Sequence, residues 1–269
     1  MRMNKVLAVF KKDYREMRRS EKVWTILIPS IIIVIVTPLI NLLHPEAMTP
    51  QTRQQIEEII AKPPPEIASE IQNMSPEQAL RYMIAIILAI PIFTFFPLIV
   101  SVPVATDSFA GEKERKTVES LLAAPITIKE LLLGKMFLSF SLSVCTTWIN
   151  FILYTLIVNI VNYPLFHTVM FPNIFMILFA VTFVPLISFF GVSGTVIVSA
   201  RARSMREAQQ LAGILILALI PIIAVPLISG LFLSKIFIIL FSLFLLALDI
   251  ILFIIGVNVF EAENLVIFR

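Results

Sequence analysis

"RYMIAIILAIPIFTFFPLIVSVPVAT", residues 81–106, carries no charge after Arg81 and exceeds the roughly 20 apolar residues a helix needs to cross bilayer hydrocarbon. The chain around it is built the same way: of 269 residues, 58% are apolar and 14% charged, more apolar side chain than one soluble core encloses. Comparable windows lie at Val23 to Leu43, Met136 to Val161, Phe171 to Ala200, Gln209 to Ser229 and Lys235 to Val259. With residues 81–106 they predict an all-α polytopic membrane protein of six transmembrane helices. The opening segment is too charged and too long before its first apolar run to be a signal peptide, so the first span is expected to remain in the mature protein.

An even number of crossings places both termini on one side, and the basic residues say which. Arg2, Lys5, Lys11, Lys12, Arg15, Arg18, Arg19 and Lys22 precede the first span, and Lys113, Arg115, Lys116, Lys129 and Lys135 follow the second. Arg201, Arg203 and Arg206 follow the fourth. Between the first two spans, Arg53 and Lys62 face Glu46, Glu57, Glu58, Glu66, Glu70 and Glu77. Cations collect on the cytoplasmic side, so both termini are expected in the cytoplasm of a multi-pass cell-membrane protein.

Residues 1–22 form a unit of their own, ahead of a transmembrane domain at 23–269. Met3, Leu7, Phe10, Tyr14 and Met17 recur at steps of four and three, one face of a helix whose other faces carry most of the Lys and Arg. This predicts an interfacial helix along the inner leaflet, with its cations against anionic lipid. The extracytoplasmic loop, residues 44–80, starts a short helix near Thr49 and Pro50 and is interrupted by "KPPPE" at 62–66. Ser75, Pro76 and Gln78 then cap a helix that runs into the second span. A structural hairpin is preferred here over a gate.

Directly after residue 106 the chain turns polar: "DSFAGEKERKTVESLLAAPITIKELLLGKM", residues 107–136. A mixed-charge helical turn leads to Leu121 and Leu122, a break is expected at Ala124-Pro125, and Thr127 with Glu130 forms a capping box for the helix feeding the third span. Segment 107–135 therefore reads as a cytoplasmic helical hairpin with charged and leucine-bearing faces, suited to docking another protein. Pairing of these charges within the hairpin or with lipid is the plainer alternative.

Gly111 to Lys135 resembles the signature of ABC-2-type transporter permeases: the Glu-Arg element Glu114-Arg115, Thr117 and Glu119, the pair Leu121-Leu122, Pro125, then Glu130-Leu131 and Gly134-Lys135. Lys116 stands where many members have Gly. The six-span order, the amphipathic leading helix and the short loop "SARARSMREAQQLAG" at 199–213 are similar to the family as well. The resemblance implies the membrane subunit of an ATP-driven exporter. It would pair with a second permease subunit, identical or related, and dock a cytoplasmic ABC ATPase through Glu112, Glu114, Arg115, Thr117, Glu119, Leu121, Leu122, Pro125 and Glu130. Glu114, Arg115 and Glu119 would fix register and the leucine pair would anchor. A second contact is considered at Arg203, Arg206 and Glu207, charges for which topology alone also accounts.

The chain has no G-x-x-x-x-G-K-[ST] phosphate loop, since Gly134-Lys135 is followed by Met136. ATP and Mg are thus expected on the partner, with no cofactor, metal, catalytic residue or nucleic acid assigned to this chain. Cys145 is the single cysteine and precludes an intrachain disulfide, while His44 and His167 lie outside the spans or at their edge.

Inside the spans, Ser139, Ser143, Thr146 and Asn150 line one helical face and serve either helix packing or a wet path. Asp249 is the lone ionisable residue well within a span and needs a partner, water or a proton. Ser143, Asn150 and Asp249 are the candidates for a translocation path. Two other readings compete: an ion-coupled secondary transporter using Asp249, and a non-transporting membrane anchor or sensor.

Overall fold

The computed structural model describes residues 3–18, 21–43, 49–63, 65–115, 126–202, 204–228 and 233–267. The regular elements among them are all helical. The helices are α1 (Met3–Arg18), α2 (Glu21–Leu43), α3 (Pro50–Ala61), α4 (Pro65–Ile71), α5 (Pro76–Thr106), α6 (Ile128–Phe166), α7 (Ile174–Arg201), α8 (Met205–Ile228) and α9 (Lys235–Ile267). Among the described residues, α5, α6, α7 and α9 are long and apolar enough to cross a membrane, and α2 carries a shorter apolar stretch, Trp24–Ile40. At 23 and 24 residues, α2 and α8 would each reach about 35 Å along their axes.

Local chemistry sets the ends of these helices. Ser75 and Gln78 form a reciprocal capping box at the start of α5, with Pro76 in the first turn where its missing N–H costs nothing. Thr127 and Glu130 do the same for α6, at the predicted position. The Asn173 side chain accepts from Met176 N to open α7. Where α6 ends, His167 takes a left-handed φ of 53° and donates its N–H to Tyr163 O.

Two boundaries differ from the expectation. The amphipathic piece after Thr127 and the third span are one 39-residue helix, α6, because the single interior glycine, Gly134, costs only about 1 kcal/mol and the one proline, Pro164, comes in the last turn. Helix α9 continues past Val259 to Ile267.

Helix α5 is central and packs against α2, α6, α7 and α8. It stays helical through Pro91, Pro97 and Pro103. An aromatic cluster holds it to α6 and to the stretch ahead of α7: Phe93 meets Phe151 and Tyr154 edge-on with centroids 5.1 and 5.5 Å apart, and Phe171 closes on Tyr154 at 5.6 Å. Near its inner end α5 touches α7 so closely that a Cβ on Gly191 would stand 2.3 Å from Ser101 Oγ. Helix α9 packs on α7 and leaves Ile236, Ile239, Leu240, Leu243 and Phe244 exposed, an apolar face suited to lipid.

Candidate functional site

Past Thr106 the second apolar helix does not stop. One π-helical turn, Asp107–Gly111, carries it into Glu112–Glu114, so the polar block grows out of α5 as a continuous rod. Segment 116–125 lies outside the described residues, and with it Thr117, Glu119, Leu121, Leu122 and Pro125. The chain returns at Thr127 directly into α6.

The two ends of that segment meet in a buried ion cluster. Lys135 Nζ lies 2.6 Å from Glu112 Oε2 and 3.4 Å from Asp13 Oδ2, and donates to Ser108 O at 2.9 Å. These side chains keep only 3%, 7% and 7% of their surface for Lys135, Asp13 and Glu112. Lys12 adds a second cation, 3.4 Å from Asp13, 3.3 Å from Glu16 and 3.8 Å from Glu112. Burial disfavours the charged Lys12, but the fields of Asp13 and Glu112 and the contact with Glu16 outweigh it and raise its pKa above 10.5. The Asp13, Glu16 and Glu112 carboxylates, all within 4.8 Å of one another, each thus stand beside a lysine.

Helix α1 reaches this cluster because α6 offers it a glycine. A Cβ on Gly134 would come within 2.7 Å of Val9 Cβ and 3.0 Å of Val6 O, so only a bare backbone admits α1 at this distance. The buried face of α1 is therefore Val6, Val9 and Asp13, beside the predicted apolar face, of which Met3, Leu7 and Tyr14 remain exposed. Phe10 bridges the two faces by packing on Phe137, centroids 5.2 Å apart. Sequence periodicity missed Asp13 because an acid among the cations of a basic helix looks like a solvated charge.

The remaining charges of the block serve the junction between α7 and α8. Lys113 Nζ donates to Ala200 O at 3.1 Å and to Ala202 O at 3.3 Å, where α7 ends, and Glu114 Oε2 accepts from Met205 N at 2.8 Å, where α8 begins. A cation sits on a helix C-terminus and an anion on a helix N-terminus, the arrangement that both helix dipoles favour. Arg115 pairs with Asp107 at 3.2 Å and remains half exposed. Glu130 is buried as the cap of α6. Arg206 is exposed, the Glu207 N–H donates to Ser204 Oγ, and Arg203 lies outside the described residues.

One long helix leading out of the membrane, a polar segment, and one long helix leading back are the arrangement on which the comparison with known families bears. The family model described as "ABC-2 family transporter protein" matches residues 7–248. The chain belongs to the ABC-2 transporter family. No curated protein matches the sequence. The matched stretch starts within α1 and takes in the whole of the ion cluster. As an ABC-2 family member the chain is a membrane transport component and is not itself a catalytic enzyme.

Within the membrane layer of this ABC-2 transporter chain, the polar stripe of α6 ties helices together. Ser143 donates to Pro97 O at 2.7 Å and meets Ser188 Oγ at 3.0 Å, joining α5, α6 and α7, and Asn150 donates to Ser30 Oγ of α2 at 3.0 Å. Ser139 turns back to Lys135 O of its own helix. Asp249 is 1% exposed, and neither carboxylate oxygen accepts a hydrogen bond from a described residue. The structure places Ser143 and Asn150 in interhelical hydrogen bonds and Asp249 apart from both in chain and in bonding.

Proposed function

We propose that this chain is the permease subunit of an ATP-driven exporter, with six spans, both termini in the cytoplasm of the cell membrane, and a second permease subunit as its partner across the translocation path. A separate cytoplasmic ABC ATPase, carrying ATP and Mg, docks on the segment between α5 and α6. The observation that supports this reading is the continuity of α5 into Glu112–Glu114 and of α6 from Thr127: a push that reaches Glu114 or Thr127 acts on a membrane helix directly. Arg115, half exposed, and the unassigned side chains of 116–125 are the docking surface, while Glu112 and Glu130 shape it from within.

The test is reconstitution of the chain with its ATPase in liposomes, with Arg115→Cys carrying a photo-crosslinker. ATP-dependent transport together with a crosslink from residue 115 to the ATPase is the expected result. Transport that needs only a proton or sodium gradient, is abolished by Asp249→Asn and proceeds without any ATPase would replace this reading with the ion-coupled one.

A further inference from the structure

We infer that Glu112, Lys135 and Asp13 form a transmission joint that ties both ends of the coupling segment to helix α1, so that the segment, α1 and the inner ends of α5 and α6 move as one body. The inference rests on the docking reading above for the source of the force, but not for the joint itself. Three elements far apart in sequence converge on one ammonium: Asp13 from α1, Glu112 and the Ser108 carbonyl from the extension of α5, and Lys135 from α6. The Glu112–Lys135 contact closes the base of the segment between them, and Asp13 fastens that closed base to α1.

A surface ion pair at this place would be soft and screened by salt. Here the Lys135, Asp13 and Glu112 side chains are almost wholly enclosed and little screened, and moving α1 away strips the buried Lys135 ammonium of one of its two carboxylates, so the closed geometry is favoured. Gly134 brings the α1 backbone against the same turn, so apolar contact and charge act at one point. Glu112 and Lys135, on either side of residues 116–125, are therefore held to each other and to α1, and displacement of either one reaches α1 and a membrane helix. Asp13, Glu112 and Lys135 are positioning residues: they touch neither nucleotide nor cargo.

The test separates the joint from the motor. In a Cys145→Ser chain in nanodiscs, spin labels at Tyr14→Cys on α1 and Lys129→Cys on α6 give one narrow distance in the parent. Asp13→Asn, which leaves the Glu112–Lys135 pair in place, and Lys135→Met should each broaden it, and Lys135→Arg should restore most of the narrow component. If Lys135→Met does not fold, Asp13→Asn still decides. An unchanged distance in Asp13→Asn overturns the joint.

With the ATPase bound, labels at Tyr14→Cys and Asn73→Cys report motion between α1 and the outer end of α5. In Asp13→Asn the fraction of molecules shifted by ATP should fall about fivefold or more while hydrolysis continues. A full nucleotide response from a chain whose α1 has been released overturns transmission through this joint. A parent chain that ignores nucleotide sinks the docking reading alone, and the Tyr14–Lys129 distance then decides the joint without it.

Discussion

Two polar junctions, one toward each end of α5, solve the same problem with different chemistry. Toward the N-terminal end, the outer one in the proposed topology, Asn173 Nδ2 donates to Glu70 Oε2 and to Tyr82 Oη, each at 2.8 Å, and the Tyr82 hydroxyl donates to the same Glu70 carboxylate. One charge with neutral donors thus joins the loop helix α4 to α5 and to the first turn of α7. At the inner end, opposite full charges from α1, the α5 extension and α6 are packed to near-complete enclosure. The outer junction is made by neutral donors around one carboxylate, whereas every contact of the inner one is between full charges, and removing Lys135 leaves two buried carboxylates with only the part-exposed Lys12 beside them. The inner junction is the rigid one.

Lys135→Met should cost the most, about 3–5 kcal/mol, by leaving Asp13 and Glu112 side by side without the ammonium between them. It is read as the heat or denaturant midpoint of the detergent-solubilised chain, and a loss no larger than that of an exposed pair would mean that water reaches the cluster. Gly134→Ala follows at about 1–3 kcal/mol, since the new methyl must displace Val9 Cβ from 2.7 Å. Combining it with Val9→Ala should recover part of the loss, and strict additivity would show that the two do not meet.

Tyr82→Phe at the outer junction should cost about 1 kcal/mol, because Asn173 keeps its bond to Glu70. A loss matching that of Lys135→Met would erase the distinction drawn between the two ends. Ser143→Ala, in the middle of the membrane, should cost about 0.6 kcal/mol, the usual worth of an interhelical hydrogen bond there.

Lys12 contributes the smallest effect. Its folded pKa stands above 10.5, so its stabilisation is fully present below that pH and is lost as pH rises through the higher folded value. Lys12→Ala should lower stability by a small, pH-independent amount below pH 10.5 and remove part of the alkaline decline, and a loss seen only at alkaline pH would assign it another role.

How far the primary structure could be read depended on the range of the interaction concerned. Both capping boxes, Ser75 with Gln78 and Thr127 with Glu130, were legible because a cap is a contract between residues three apart. The apolar windows were legible because hydrocarbon demands length and composition, which a linear scan measures. The boundary at Met136 was not, since amphipathic and apolar helix join in α6 without any local signal between them. The bonds of Lys113 to Ala200 and Ala202 and of Glu114 to Met205 were not legible either, since these partners lie too far along the chain for any window to connect.

Residue order alone settled that this chain is helical and membrane-embedded and where its helices are capped, because solvent and backbone enforce those features one segment at a time. It also marked Gly134-Lys135 as notable without a reason. Folding supplied the reason, a bare backbone for α1 to approach and an ammonium for Asp13 and Glu112 to share. An enclosed charge must find its counter-charge wherever in the chain that lies, and only packing α1 against α5 and α6 in space says which carboxylates those are.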